Sequence, residues 1–337
     1  MRALVALLLL APAGCAKKSE TPPQATSTAF PVGLVYDIGG RGDKSFNDAA
    51  YAGLDSAQKQ LGITFATLET NEGSDREAQL RQLAAGDHKL VFGIGFLFSD
   101  DIKNLAKEFP DQRFACVDYT WSPGDSVPAN LLGLKFREEE GSFLVGALAA
   151  LTSKTGKVGF VGGMDIPLIR KFEAGYTAGA KAVNPNVVVI AKYAGTTGAA
   201  FKDPTKGKEL ALSEYHDGVD VIFHASGSTG LGVFEAAREL KKLAIGVDAD
   251  QYDEAPGFIL TSMVKRVDHA VFDTIRDLKD GKWQGGVREM GLAEHGVTWV
   301  YDDRNKSLIP DAVKATVDSL EAEIIAGRIK VPTEMTR

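Results

Sequence analysis

Cysteine is almost missing from this chain: Cys15 and Cys116 are the two it has in 337 residues. Positive charge is also short. Lys and Arg number 38 against 45 Asp and Glu, a net charge of −7, with no basic stripe. A surface that neutralises phosphates needs clustered Lys and Arg, so nucleic acid is excluded as a partner. The five histidines, His88, His216, His224, His269 and His295, are scattered, and none stands at metal-ligand spacing from a Cys, Glu or His. No metal or cofactor is expected. A Gly-x-Ser-x-Gly elbow and a Walker loop are absent too. No apolar run reaches the about 20 residues that a permanent membrane-spanning helix needs.

The N-terminus does carry a short apolar run, Ala3 to Ala11, after Arg2 and before Ala13, Gly14 and Cys15. That is the layout of an export signal. Small residues directly before a cysteine resemble a bacterial lipobox, although Pro12 stands where such a box usually has Leu. Residues 1–15 are therefore expected to be a lipoprotein signal ending at a lipidated Cys15, with residues 16–29 as a tether rich in Pro, Ser and Thr. Such a tether reaches roughly 40 Å when extended. The expected location is the cell envelope, lipid-anchored to a membrane. With Cys15 acylated, Cys116 in "RFACVDY" has no partner, so no disulfide is expected and the thiol reads as a small apolar core group.

After the tether, short apolar runs alternate with helical patterns. Pro31–Asp37, Thr64–Glu69, "HKLVFGIG" and "RFACVDY" read as strands; Phe46–Leu61, Asp75–Ala85 and a helix from Ser99 to Phe109 lie between them. The same logic recurs from Lys157: helix Ile169–Val183, strands Val187–Tyr193 and Val219–His224, helix Leu231–Leu240, strands Ala244–Val247 and Phe258–Met263, helix Val267–Asp280 and a last helix Asp311–Ala326. This implies two parallel α/β sets with a changeover near Lys135. Glu138, Glu139 and Glu140 read as a solvated first helical turn rather than a metal site. Ligands of open α/β sheets bind beyond the carboxyl ends of strands. The glycine clusters fall at such ends: Gly39-Gly40, Gly93, Gly162-Gly163, Gly227 and Gly230.

The glycines of "YDIGGRGDKSFN" are not a phosphate loop. Gly40 and Gly42 match the start of a dinucleotide fingerprint, but Ser45 holds the third glycine position, and Asp37 would repel a pyrophosphate.

Six stretches in order, "DIGGRGDKSFNDAAYAGL", "FGIGFLFSD", "EEEGSFLVGALAALTSKTGKVGFVGG", "HASGSTGLGVFEAA", "IGVDADQ" and "LTSMVKRVD", resemble the basic membrane protein family, the PnrA-like purine-nucleoside-binding lipoproteins of ABC transporters. The resemblance covers about Pro31 to Gly296. It implies a type I periplasmic binding protein fold, with residues 30–135 plus about 265–290 as one lobe and 136–264 plus about 291–337 as the other. It also implies a monomer that serves a permease and binds a nucleoside in the cleft. The base would lie between two rings, Phe46 and Phe223, with Phe201 as the alternative second ring. Asp37, Asn47, Asp118, Gly227, Asp248 and Lys265 would hydrogen-bond base and ribose, Asp248 being the foremost ribose acid. Ionised carboxylates accept the donors that a sugar offers. His224 and Ser228 depart from the family, which often has small residues there, and Trp121 is a further available aromatic.

An enzyme is the first rival class. A nucleoside hydrolase would need an acid cluster for a metal at one strand end, and "YDIGGRGD" supplies Asp37 and Asp43 alone. The second is a sensor or a sugar binder of the same fold.

Overall fold

The computed structural model describes residues 30–70 and 74–335. The expected signal, the tether and Cys15 lie outside the described residues. The first half contains strands β1 (Pro31–Val35), β2 (Thr64–Leu68), β3 (Leu90–Ile94), β4 (Arg113–Val117) and β5 (Leu131–Phe136), and helices α1 (Phe46–Leu61), α2 (Arg76–Ala84) and α3 (Ser99–Glu108). The second contains β6 (Lys157–Met164), β7 (Val188–Gly195), β8 (Val221–Ala225), β9 (Leu243–Asp248) and β10 (Ile259–Lys265). Its helices are α4 (Glu138–Thr152), α5 (Pro167–Val183), α6 (Pro204–His216) and α7 (Gly230–Leu240). Helix α8 (Val267–Lys279), strands β11 (Gly286–Met290) and β12 (Val297–Trp299), and helix α9 (Asp311–Ile325) close the chain.

The two six-stranded sheets have matching orders, β11-β5-β4-β3-β1-β2 and β12-β10-β9-β8-β6-β7. Every pairing is parallel except β12 against β10. Each order reverses beside its first strand, between β1 and β3 and between β6 and β8, which opens a crevice beyond the strand ends at that point. β11 returns to the first sheet after the second is built, and α8 lies against α1. The chain thus crosses between the halves after β5, after β10 and after β11.

Helix α4 is buried on nearly every side. It lies on α5 at backbone distance: a Cβ on Gly146 would sit 2.0 Å from the Tyr176 carbonyl oxygen, and one on Gly179 would sit 1.8 Å from that of Phe143. Only glycine allows this approach.

Two sequence expectations need correction here. The first turn of α4 is not solvated: Glu138 is 1% exposed and Glu139 5%. Lys171 explains it, since its Nζ lies 2.8 Å from Glu138 and 3.2 Å from Glu139 and donates to the Phe136 carbonyl at 2.7 Å. Helix α6 was also not anticipated. Its signal is present in Asp203-Pro204, where the Asp203 carboxylate accepts the Lys206 N–H at 2.9 Å and Pro204 takes the first turn. Cys116 is buried in β4 and free, as its apolar setting suggested.

Candidate functional site

The loops beyond both crevices meet around a cavity with about 570 Å³ of open space, mouth included. Asp37, Phe46, Asn47, Asp118, Gly227, Asp248 and Lys265 line it, drawn from both halves of the chain. Phe223 does not.

Phe223 is 0% exposed. It sits mid-strand in β8, on the face covered by α5, with its ring centroid 5.7 Å from Phe160 and 5.4 Å from Tyr176. Strand alternation carries it into the core and away from the strand end. From this half Phe201 does reach the cavity, half-buried at the end of the short turn Gly198–Phe201. From the first half come Phe46, the first residue of α1, and Phe96, whose ring stands 6.4 Å from Phe201 at 67°. Phe172 of α5 adds a fourth ring to the wall.

The loop before α1 is fixed by Asp43, which is 3% exposed. Its carboxylate accepts the N–H groups of Ser45, Asn47 and Asp48 at 3.0, 2.8 and 3.1 Å. It therefore satisfies helix N-terminal donors that would otherwise be orphaned, and holds Phe46 at the cavity. Asn47 is spent on structure as well, its Oδ1 accepting the Asp37 N–H at 3.0 Å. Asp37 follows β1; its Oδ1 accepts the Ile38 N–H at 2.8 Å. Its Oδ2 lies where a Cβ on Gly95 would come within 2.1 Å, so at φ +111° position 95 demands glycine on both counts.

Lys265, at the end of β10, is 2% exposed. Its Nζ lies 2.6 and 2.7 Å from the two Asp118 oxygens and 3.1 Å from Glu138. The rings of Phe136, Phe46 and Phe172 surround it at 5.0, 5.1 and 5.8 Å. Burial disfavours the ammonium, but Asp118, Glu138 and Asp248 outweigh it and raise its pKa. Burial likewise pushes up Glu138, yet Lys171 and Lys265 prevail and hold it below the usual range. Asp37 and Asp248 are instead pushed up to about 7, each chiefly by burial. Asp118 and Asp248 both adopt left-handed backbone, φ +60° and +65°, at their strand ends. Such non-glycine conformations cost of order 1–3 kcal/mol and concentrate at ligand clamps.

The halves touch across the cavity. Ser45 Oγ donates to Asp248 Oδ2, and Gln251 Nε2 donates to the Lys44 carbonyl at 2.9 Å. Among the described residues, no group of three or more His, Cys, Asp or Glu is arranged to hold a metal ion. The arrangement is a lined box of rings, acids and one cation that can clasp a flat polar molecule.

The model of the family described as "ABC transporter substrate-binding protein PnrA-like" matches residues 30–335. The chain belongs to that family. It is a family of binding proteins, not of enzymes. Among curated relatives, the CD4+ T-cell-stimulating antigen of Listeria monocytogenes is 40% identical over 91% of this chain and 89% of its own length. Basic membrane protein A of Borreliella burgdorferi is 37% identical over 90% of this chain and 87% of its own. The crystal structure of an ABC transporter solute-binding protein from Aeropyrum pernix superposes with a TM-score of 0.82 at 30% identity, covering 91% and 94% of the two chains. An arabinose-binding protein of Geobacillus stearothermophilus, at 15% identity and TM-score 0.61, shares the fold alone. The type I periplasmic binding protein architecture expected from the sequence is thereby shown, and this substrate-binding protein serves an ABC transporter.

Asp43, Ser45, Phe96, Phe172 and Glu138 complete the site without having been singled out as site residues. For Asp43 the signal was an acid just ahead of a helix. The others are placed by tertiary contacts with no local signature.

Proposed function

We propose that the ligand is a purine nucleoside, held between Phe46 and Phe201 with its ribose against Asp248, Asp118 and Lys265. The observation that carries this is the juxtaposition, in one cavity, of half-buried rings from opposite halves with acids grouped around a single cation. A base offers a π-face, worth about 1–3 kcal/mol per stacked ring by analogy with single-stranded nucleic acids, and ribose hydroxyls donate to carboxylates. Asp37 and Asn47 stand at the first-half wall for the base edge, and Gly227, at φ +56°, brings backbone close to the ligand.

The chain acts with a permease, as a monomer anchored through Cys15 to a membrane of the cell envelope. Among the described residues no helix is long and apolar enough to cross a membrane, and a similar protein of Pyrococcus abyssi is named a lipoprotein. The lobes, residues 30–135 with 265–290 and 136–264 with 291–337, close on the ligand about the three crossings. Small-angle scattering should show a smaller radius with ligand than without; an unchanged radius at saturation would mean a rigid pocket.

The deciding experiment is a thermal-shift screen of nucleosides, free bases and sugars, since a ligand stabilises according to its concentration over its dissociation constant. Stabilisation by inosine, guanosine or adenosine but not by ribose or arabinose is expected. Stabilisation by a sugar alone would replace this reading with a sugar-binding one.

A further inference from the structure

We propose that His224 is a positioning residue that turns Ser226 into a fixed hydrogen-bond acceptor on the cavity wall, so that the pocket selects ligands presenting an N–H or O–H there. This rests on the purine-nucleoside reading of the same site and names a determinant within it.

His224 is 0% exposed, in β8, with its ring against Gly230 so closely that a Cβ there would come within 2.0 Å of Cε1. The ring is thus seated on a glycine and cannot turn. Its Nε2 lies 3.0 Å from Gln251 Oε1. The Gln251 amide is oriented by two backbone groups that each have one role: the Val247 N–H donates to Oε1 at 2.8 Å, and the Lys44 carbonyl accepts from Nε2 at 2.9 Å. Oε1 is therefore an acceptor, and His224 Nε2 must carry the proton. Burial keeps the ring neutral, its pKa pushed down to about 4, so Nδ1 is a bare lone pair. Ser226 Oγ lies 3.3 Å from Nδ1. A hydroxyl has one proton, and here it is committed to the imidazole.

Ser226 lines the cavity beside Gly227 and Asp248. With its proton turned to His224, it can offer the cavity lone pairs but no donor. A ligand acceptor at that point would meet an acceptor, while a donor would be satisfied. Ser226 thus complements Asp248, which also accepts, and the pair biases the wall toward hydroxyl or N–H groups.

Two measurements test this. The 15N shifts of the His224 ring, assigned by comparison with His224→Asn, report the tautomer without any ligand. Nε2–H with bare Nδ1 at pH 7 is expected; an Nδ1–H ring or an imidazolium would overturn the proposal. Calorimetric titration of wild type and Ser226→Ala with inosine, purine riboside, and 2′-, 3′- and 5′-deoxyinosine then locates the donor. One analogue should bind wild type about tenfold more weakly than inosine, as expected for one lost hydrogen bond, and Ser226→Ala should erase that difference while keeping the others. Ratios to inosine that are identical in both proteins would refute the role of Ser226. Failure of every nucleoside to bind wild type would instead sink the underlying ligand assignment, and this proposal with it.

Discussion

Replacing Lys265 by methionine should be among the most damaging single changes in this protein, and its pH dependence should reveal why. The side chain is 2% exposed and lies within 3.1 Å of both Asp118 and Glu138. Methionine keeps much of the apolar stem, so the loss is mainly of charge. Removing one partner of a buried ion pair costs about 3–5 kcal/mol, because the other charge stays behind unpaired; an exposed pair would cost under about 1 kcal/mol. Lys265 has a raised pKa in the fold, so its own contribution is fully present below the free-lysine value of about 10.4 and does not change between pH 5 and 8. The acids change instead. Their pKa values are raised in the wild type for Asp118, Asp248 and Asp37, and without the ammonium those of Asp118 and Asp248 rise further. A fold that retains protons the unfolded chain has lost is destabilised as pH rises. Lys265→Met should therefore fall short of wild type by the full about 3–5 kcal/mol at pH 8 and by much less at pH 5. Urea unfolding at several pH values measures this. A deficit that does not change with pH would show that packing, not charge, is what was lost, and a deficit below about 1 kcal/mol would refute the burial argument.

Phe201→Ala and Phe223→Ala should separate ligand contact from core. The first is expected to weaken nucleoside binding by about ten- to a hundredfold, from about 1–3 kcal/mol of stacking, with little change in melting temperature. The second should cost about 3–5 kcal/mol of stability; calorimetry showing the reverse pattern would return Phe223 to the site. Cys15→Ser should leave a folded protein that no longer fractionates with membranes, and retention on membranes after a salt wash would place the attachment elsewhere.

The alternation of apolar runs with helical patterns made the two sheets legible, and Phe46–Leu61 is a helix over the residues that its periodicity marks. Periodicity also placed Asp37, Asp118 and Asp248 just after or at strand ends, hence at the cavity. What it could not supply was the direction of a side chain within a strand near its end. Phe223 and Ser226 lie three residues apart, and one is core while the other is cavity wall. Nor could it show that Glu138 and Glu139 are buried, because Lys171 and Lys265, the cations that make this tolerable, come from other elements. The left-handed backbone at Asp118 and Asp248 is equally invisible, since aspartate tolerates that region without the glycine that would announce it. β12 was missed because three residues carry little pattern, and β11 because the charged pair in "GVREM" breaks its apolar run.

The acids of the cleft also tie ligand capture to protons. Asp37 and Asp248 sit at about 7, above their ordinary value, because burial penalises the carboxylate more than the Ile38 N–H favours it at Asp37, and more than Lys265 and the Ser45 hydroxyl favour it at Asp248. At pH 6.5 each is therefore partly protonated in the empty site. A ribose hydroxyl or base N–H donating to a carboxylate stabilises the charged form and lowers its pKa. Binding should then expel protons, and affinity should rise with pH between about 5.5 and 7.5, as ionisation is completed in advance. Lys265 stays protonated across this range and contributes nothing to the slope. Titration calorimetry at pH 6.5 in phosphate and in Tris gives the proton count directly, since the heats differ by the protons released times the difference in buffer ionisation enthalpy. Proton release is expected, up to what Asp37 and Asp248 together still hold at that pH, and Asp248→Asn should reduce it. Proton uptake on binding would mean that the ligand presents acceptors to these carboxyl groups, and would reverse the roles assigned to both acids.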